Sequence, residues 1–241
     1  MEHDYLELTE RLERAYSPRI ALRRVSLSDG WPLYEATRNP LFNKHLLWDP
    51  PESEFEVLRR IDVIVEASRR GQLAAVSGVA RMTGEWASLF RFQPYMADPA
   101  CMEMGVWTHD RFWTGRYTLE LSHMCVDAVF DNSEVDRLIG AASPENRGSC
   151  ALMKSVGLKE TQVVARRTES GQSVELQEFE LLRSDWSARA EQRAQKPSHQ
   201  MVPSAPAAPV PSRRAQIAAR RRAREADLDS DDEFADLADA D

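Results

Sequence analysis

Residues 103–120 read EMGVWTHDRFWTGRYTLE. With Cys101 and Met102 before it, the first part makes a β-like run, Cys101–Thr108, which ends where His109 and Asp110 interrupt the apolar character. Beyond it Leu121, Met124, Cys125 and Ala128 recur at helical spacing, which predicts the buried stripe of a helix starting near Trp113. A loop feeding a helix N-terminus aims several unpaired N–H groups at one spot, and the macrodipole favours an anion there. The stretch therefore reads as an anion cradle at the end of a strand. The same residues also suit an ordinary paired strand followed by a plain helix start.

Working outward, Arg137–Ala142 is a strand that leads through Ser143 and Pro144 into a helix over Asn146–Val156, with Gly157 in the C-cap position. Upstream, Arg19–Val25 reads as a strand and Ser28–Arg38 as a short helix. Ser53 with Glu56 forms a capping-box signature, and Val57, Leu58, Ile61, Ile64 and Val65 mark one face of a helix ending near Gly71. Leu73–Ala80 and Trp86–Phe92 flank a hairpin turn at Thr83-Gly84-Glu85. Thr161–Arg167 and Ser173–Leu182 close the series around Glu169–Gln172. In the last strand the alternation Val174, Leu176 skips to Phe179, Leu181, which predicts a bulge at Gln177-Glu178. The order β-α-α-β-β-β-α-β-α-β-β specifies an α/β (α+β) fold with a mixed, mostly antiparallel sheet flanked by helices.

Charge marks the boundaries. The 241 residues carry a net charge of −8, but nine acids stand in residues 225–241 with no base, leaving 31 bases against 30 acids before them. Residues 1–17 are charged throughout and read as an N-terminal extension, 18–184 as the folded domain, and 185–195 as a polar, helix-prone segment. Residues 196–241 read as a disordered tail: prolines at 197, 203, 206, 209 and 211, six arginines between Arg213 and Arg224, then the acids. That tail offers a surface for a macromolecular partner. Nucleic acid is disfavoured because the adjoining acids compete for the arginines. Cys101, Cys125 and Cys150 stand apart without a CxxC pair, so neither a disulfide framework nor a metal site is expected. No apolar run approaches the length of a membrane span, and the expected location is the cytoplasm.

Two segments resemble motifs of the GNAT superfamily of N-acetyltransferases, in the branch containing the RimJ and RimL ribosomal-protein acetyltransferases. Glu103–Glu120 is similar to the strand, loop and helix that bind acetyl-CoA. Pro144–Glu160, PENRGSCALMKSVGLKE, is similar to the second motif, an Asn three residues before a Ser on an apolar helix ending in glycine. The resemblance covers about residues 18–182 in element order. It implies a GNAT-like fold, acetyl-CoA as cosubstrate without a metal, and direct acetyl transfer to a primary amine, either a protein N-terminus or a small-molecule amine. The cofactor groove would lie between Cys101–Thr108 and Arg137–Ala142. In the family the first of these strands splays from its neighbour, so Met104, Val106 and Thr108 would offer main-chain bonds to the pantetheine arm. The pyrophosphate would lie along Arg111, Trp113, Thr114, Gly115, Arg116, Tyr117 and Thr118.

The same resemblance assigns roles. Glu103 would take the ammonium proton, Ser149 would protonate the departing sulfur, and Asn146 would bond the cofactor arm. Beside these stand plainer readings: a surface glutamate, and helix capping for Asn146 and Ser149. His109 and His123 are expected to be structural. Trp31, Tyr34, Phe42 and Trp48 fall in the region that forms one wall of the acceptor groove in relatives, core packing being the default for any one of them, and the acceptor-facing segment is expected within Asn39–Pro51. One departure separates two functions. Arg116 stands where the family places a glycine beside the phosphates, and its side chain either points to solvent, blocks the cradle or assists as a cation. If it blocks, the alternative is a catalytically inactive GNAT-like binding or assembly module.

Overall fold

A computed structural model describes residues 3–114, 116–132 and 135–195. In chain order the elements are α1 (Tyr5–Arg14), β1 (Ile20–Arg24), α2 (Gly30–Thr37), α3 (Pro40–Asn43), α4 (Glu54–Arg69), β2 (Ala74–Ala80), β3 (Trp86–Tyr95) and β4 (Asp98–Thr108). Then follow α5 (Tyr117–Asn132), β5 (Arg137–Ala142), α6 (Arg147–Val156), β6 (Lys159–Arg167), β7 (Ser173–Leu182) and α7 (Arg183–Gln195). The strands form one sheet in the order β1-β2-β3-β4-β5-β7-β6, antiparallel except between β4 and β5.

The sheet is covered on both faces, which the burial of β2 expresses. Ala74 and Val76 join a core with Leu8, Phe90, Met102, Leu121 and Phe130, beneath α1, α5 and α6. Ala75 joins the opposite core with Leu33, Val57, Ile61 and Leu89, beneath α2 and α4. Alternation along β4 sends Met102 and Met104 to the first face and leaves Glu103 and Trp107 on the second.

Several local expectations are revised. Within the charged N-terminal segment, Tyr5, Leu8 and Leu12 form a buried stripe, so α1 belongs to the main core. Ser53 caps α4 by position, but its side chain makes no cap bond, and Glu56 instead accepts from the Glu52 N–H at 3.1 Å. The helix expected from Trp113 begins at Tyr117. A 3₁₀ turn at Asp110–Phe112 precedes it, and Arg116 has φ of 63°, a left-handed residue that cannot enter an α-helix. The bulge expected in β7 at Gln177-Glu178 lies in β6, where the register with β7 slips between Glu160 and Val163. In β7 itself the skip is a change of apolar face. Leu176 packs toward the cleft described below, Phe179 and Leu181 pack under α6, and Glu178 is a carboxylate only 2% exposed. Asn146 caps α6, and Gly157 ends it with φ of 107°, as its sequence position implied. The tail, residues 196–241, lies outside the described residues, as does Gly115.

Candidate active site

β4 and β5 pair at Met102 with Leu138 and at Glu103 with Ile139. Beyond those pairs they part, although β4 continues to Thr108 and β5 to Ala142. Each keeps its other neighbour, β3 and β7 respectively. The phase of the free edge follows from one bond: the His109 N–H donates to the Ala87 carbonyl at 2.9 Å. In an antiparallel ladder this makes Ser88 and Thr108 a pair whose own N–H and C=O groups face away from each other. Counting back in twos, the main-chain groups of Thr108 and Val106 and the carbonyl of Met104 point into the gap, while the Met104 N–H is turned to Ile139 by the Glu103–Ile139 pair. Trp113 already caps the end of that row, donating its indole N–H to the Thr108 carbonyl at 2.9 Å.

A cleft of about 1230 Å³ follows the gap. Of the residues singled out in the sequence, Glu103, Met104, Val106 and Thr108 line it from β4, and Trp113, Arg116 and Thr118 from the loop and the start of α5. Asn146 and Ser149 line it from the N-terminal end of α6. Arg111, Thr114 and Tyr117 do not. Arg111 is exposed beside Glu85 at 3.7 Å, and Tyr117 packs on Phe112 and under the Arg19 guanidinium. Arg116 combines a glycine-like backbone with an exposed side chain, so the chain path of a glycine is kept although the glycine is not. Asn146 divides its amide: its Oδ1 accepts the Ser149 N–H at 3.1 Å, and its Nδ2 makes no hydrogen bond among the described residues.

His109 is 7% exposed, lies edge-on to the Trp86 ring and has Nδ1 2.6 Å from Asp110. Burial alone would push the Asp110 carboxyl up. The Asn39 amide at 2.8 Å, His109 and the Arg111 N–H outweigh it and hold Asp110 below its ordinary range. This pair fastens the loop after β4 to the α2–α3 connection and takes no part in lining the cleft.

The other half of the cleft is built from side chains that sequence reasoning did not assemble. Trp48 and Trp107 stack with centroids 5.1 Å apart and planes within 2°, Arg60 lies over Trp48 at 4.8 Å, and Arg91 lies over Trp107 at 5.6 Å. Arg60 is held by both carboxylate oxygens of Glu169, at the β6–β7 turn, and the Glu169 N–H donates to Leu47. Glu103, on the same face, accepts from the Gln93 amide at 3.1 Å and lies 3.6 Å from Arg166. The Met102 and Met104 side chains point to the opposite core, so they do not surround this carboxylate. Behind it Glu178 accepts from Tyr95 Oη at 2.7 Å, Gln162 at 3.0 Å and Arg166 at 3.3 Å. Leu41–Trp48 supplies the outer wall, inside the Asn39–Pro51 segment expected to face the acceptor.

Residues 19–159 match the family model described as an acetyltransferase (GNAT) domain. The chain belongs to the GNAT acetyltransferase family. A search among curated proteins found no match. Solved structures share this GNAT fold at low identity. A putative ribosomal-protein-serine acetyltransferase from Vibrio cholerae is 20% identical with a TM-score of 0.61, over 69% of this chain and 95% of that one. The ribosomal L7/L12 alpha-N-protein acetyltransferase RimL, solved with coenzyme A, is 14% identical with a TM-score of 0.59, over 70% and 96%. The microcin C7 self-immunity acetyltransferase MccE, solved with acetyl-CoA and AMP, is 14% identical with a TM-score of 0.60, over 69% and 93%. In this GNAT domain, among the described residues, no helix is long and apolar enough to cross a membrane.

Proposed function

We propose that the protein is a cytoplasmic, acetyl-CoA-dependent N-acetyltransferase that passes the acetyl group directly to a primary amine. The observation that carries this is the parting of β4 from β5 after two residue pairs, with the main-chain groups of Val106 and the carbonyl of Met104 turned into the gap. Unpaired edge groups inside a sheet are costly unless a ligand or water pairs with them, and a pantetheine arm has amides at strand-like spacing. Further support comes from the relatives, since MccE was solved with acetyl-CoA and RimL with coenzyme A. The left-handed backbone at Arg116 suits close approach of a pyrophosphate to the N-terminus of α5, with Arg116 and Thr118 as flanking groups.

Bound there, acetyl-CoA supplies a thioester carbonyl open to attack. Glu103 accepts the ammonium proton of the acceptor, directly or through water, which frees the lone pair that forms the amide bond. As the C–S bond breaks, the Ser149 hydroxyl donates a proton to the sulfur and recovers one from solvent or the acceptor nitrogen. The Asn146 Nδ2 holds the cofactor arm while its Oδ1 keeps α6 capped. In this reading no metal takes part. Residues 196–241 serve a macromolecular partner and are dispensable for the fold, so truncation after Gln195 should leave melting temperature and acetyl-CoA affinity unchanged.

Calorimetric titration with acetyl-CoA tests the reading without knowledge of the acceptor. Saturable heat and a raised melting temperature are expected. Neither appearing at millimolar acetyl-CoA would replace this reading with that of an inactive binding module.

A further inference from the structure

Of the described cations that line the cleft, three are in ion pairs, Arg116, Arg147 and Arg167 are exposed, and Arg91 alone is partly buried without an ion pair. Arg60 is taken by Glu169, Arg166 by Glu103 and Glu178, and Lys44 by Glu145 at 3.7 Å. Arg116 and Arg147 are exposed near the N-termini of α5 and α6. Arg91 is partly buried on β3, forms no hydrogen bond and no ion pair within 4.0 Å among the described residues, and has a buried Nε without a partner. Burial pushes its guanidinium below the ordinary value, with Glu103 opposing that from a distance. Arginine stays charged in spite of such burial, so the site holds a desolvated cation that gains free energy when an anion joins it.

Space for that anion lies beside it. The residue opposite Arg91 on β4 is Gly105, and a Cβ built there would meet nothing within 4 Å. Trp107 closes one side of this space and Glu103 stands on the other, two residues along β4. Diagonal neighbours across an antiparallel pair sit about 7–8 Å apart. The opening therefore presents a carboxylate and a guanidinium a few bonds apart on one face. Gly105 is three residues short of the strand end, about 10 Å from it, so the Arg91 position is separate from the proposed pyrophosphate cradle.

Resting on the acetyltransferase reading above, we propose that the acceptor is an amine with an anionic group, carboxylate or phosphate, within a few bonds of its nitrogen, and that Arg91 binds that group. Glu103 then faces the ammonium while Arg91 faces the anion. The shared chemistry fits a small amino acid, an aminoalkyl phosphate or a peptide N-terminus whose first side chain is acidic.

Three matched pairs distinguish these sources: glycine against glycinamide, 2-aminoethyl phosphate against ethanolamine, and an Asp-initiated against an Asn-initiated tetrapeptide. Thiol release with acetyl-CoA is read for each, alongside the melting temperature with the amine alone. In at least one pair the anionic member should be favoured by tenfold or more in kcat/KM, mainly through KM. Arg91→Gln should narrow that preference below threefold while its acetyl-CoA affinity stays that of the wild type. Arg91→Lys, which keeps the charge, should restore part of the preference. If the protein binds no acetyl-CoA, the enzyme reading fails by itself. An anionic amine that still raises the melting temperature of the wild type and not of Arg91→Gln would uphold the recognition. Equal handling of both members in every pair, by turnover and by melting temperature, would overturn it, as would equal loss on both members in Arg91→Gln.

Discussion

The two ends of the cleft are made of different material. At the α5 end the groups turned toward the opening are largely main chain, the free edge of Met104–Thr108 and the N–H groups entering α5, and almost any side chain can stand on such a backbone. At the Trp48 end they are side chains, the column Arg60, Trp48, Trp107 and Arg91 and the carboxylate of Glu103, brought together from segments remote in sequence. Arg60 and Glu169 are 109 residues apart, and Tyr95 and Glu178 are 83. A site made of main chain tolerates substitution, whereas a site made of side chains changes with every replacement, and the proposed selectivity for the amine rests on the latter.

Substitutions at each end should divide accordingly. The largest effect is expected at Glu178, on the side-chain end. Glu178→Leu leaves Arg166 and Tyr95 without their buried partner and should cost about 3 kcal/mol, read as a fall in the urea midpoint. A loss below about 1 kcal/mol would mean the carboxylate is not the anchor of that wall. Glu103→Gln comes next: kcat should fall about a hundredfold while acetyl-CoA affinity is unchanged, because in the proposed mechanism the lost group acts on the amine. Weakened acetyl-CoA binding in that variant would contradict the division of the cleft.

At the backbone end effects shrink. Asn146→Ala removes the α6 cap, for about 1 kcal/mol, and also weakens acetyl-CoA. Asn146→Asp keeps the capping oxygen and should recover the stability but not the affinity, and recovery of both would show that the nitrogen has no ligand. Arg116→Gly should raise stability by roughly 0.5 to 1 kcal/mol, since glycine accepts φ of 63° without strain. Arg116→Val should lower it. The smallest effect is a pH slope from Asp110. Its folded pKa lies below the ordinary value of 3.8, so the contribution is complete above that value and is lost as pH falls through the folded pKa. Between pH 5 and 3 the wild type should lose slightly more stability than Asp110→Asn, and parallel curves would remove the assignment.

What could be read in the sequence follows the same partition. Glu103–Glu120 and Pro144–Glu160 are local patterns, and strand, loop and helix came out of them because capping and periodicity act over a few residues. α5 starts four residues beyond the expected Trp113 because nothing in Trp113–Arg116 announces a left-handed residue other than glycine. Tyr5, Leu8 and Leu12 recur at helical spacing, but the charges between them hid the stripe of α1. Glu178 broke the alternation of β7 because a carboxylate stands at an inward position, and its reason, Arg166 and Tyr95, is visible only when β6 and β3 lie on the same face. Arg91 gave no local signal at all. An arginine in a strand is ordinary until its neighbours are known to offer no anion within ion-pair distance.

The brief meeting of β4 and β5 has a mechanical consequence. Four strands on one side and three on the other are joined at two residue pairs, so the sheet is two plates on a short hinge near Met102 and Leu138. Bracing comes on one face from α5 packed on β3, α6 on β5 and the two helices on each other, and on the other from Tyr95 bonded to Glu178 and Arg166 beside Glu103. The helices that clamp the plates therefore share in setting the width of the opening, and a change of volume between α5 and α6 should be felt at the mouth of the cleft without any lining residue being touched.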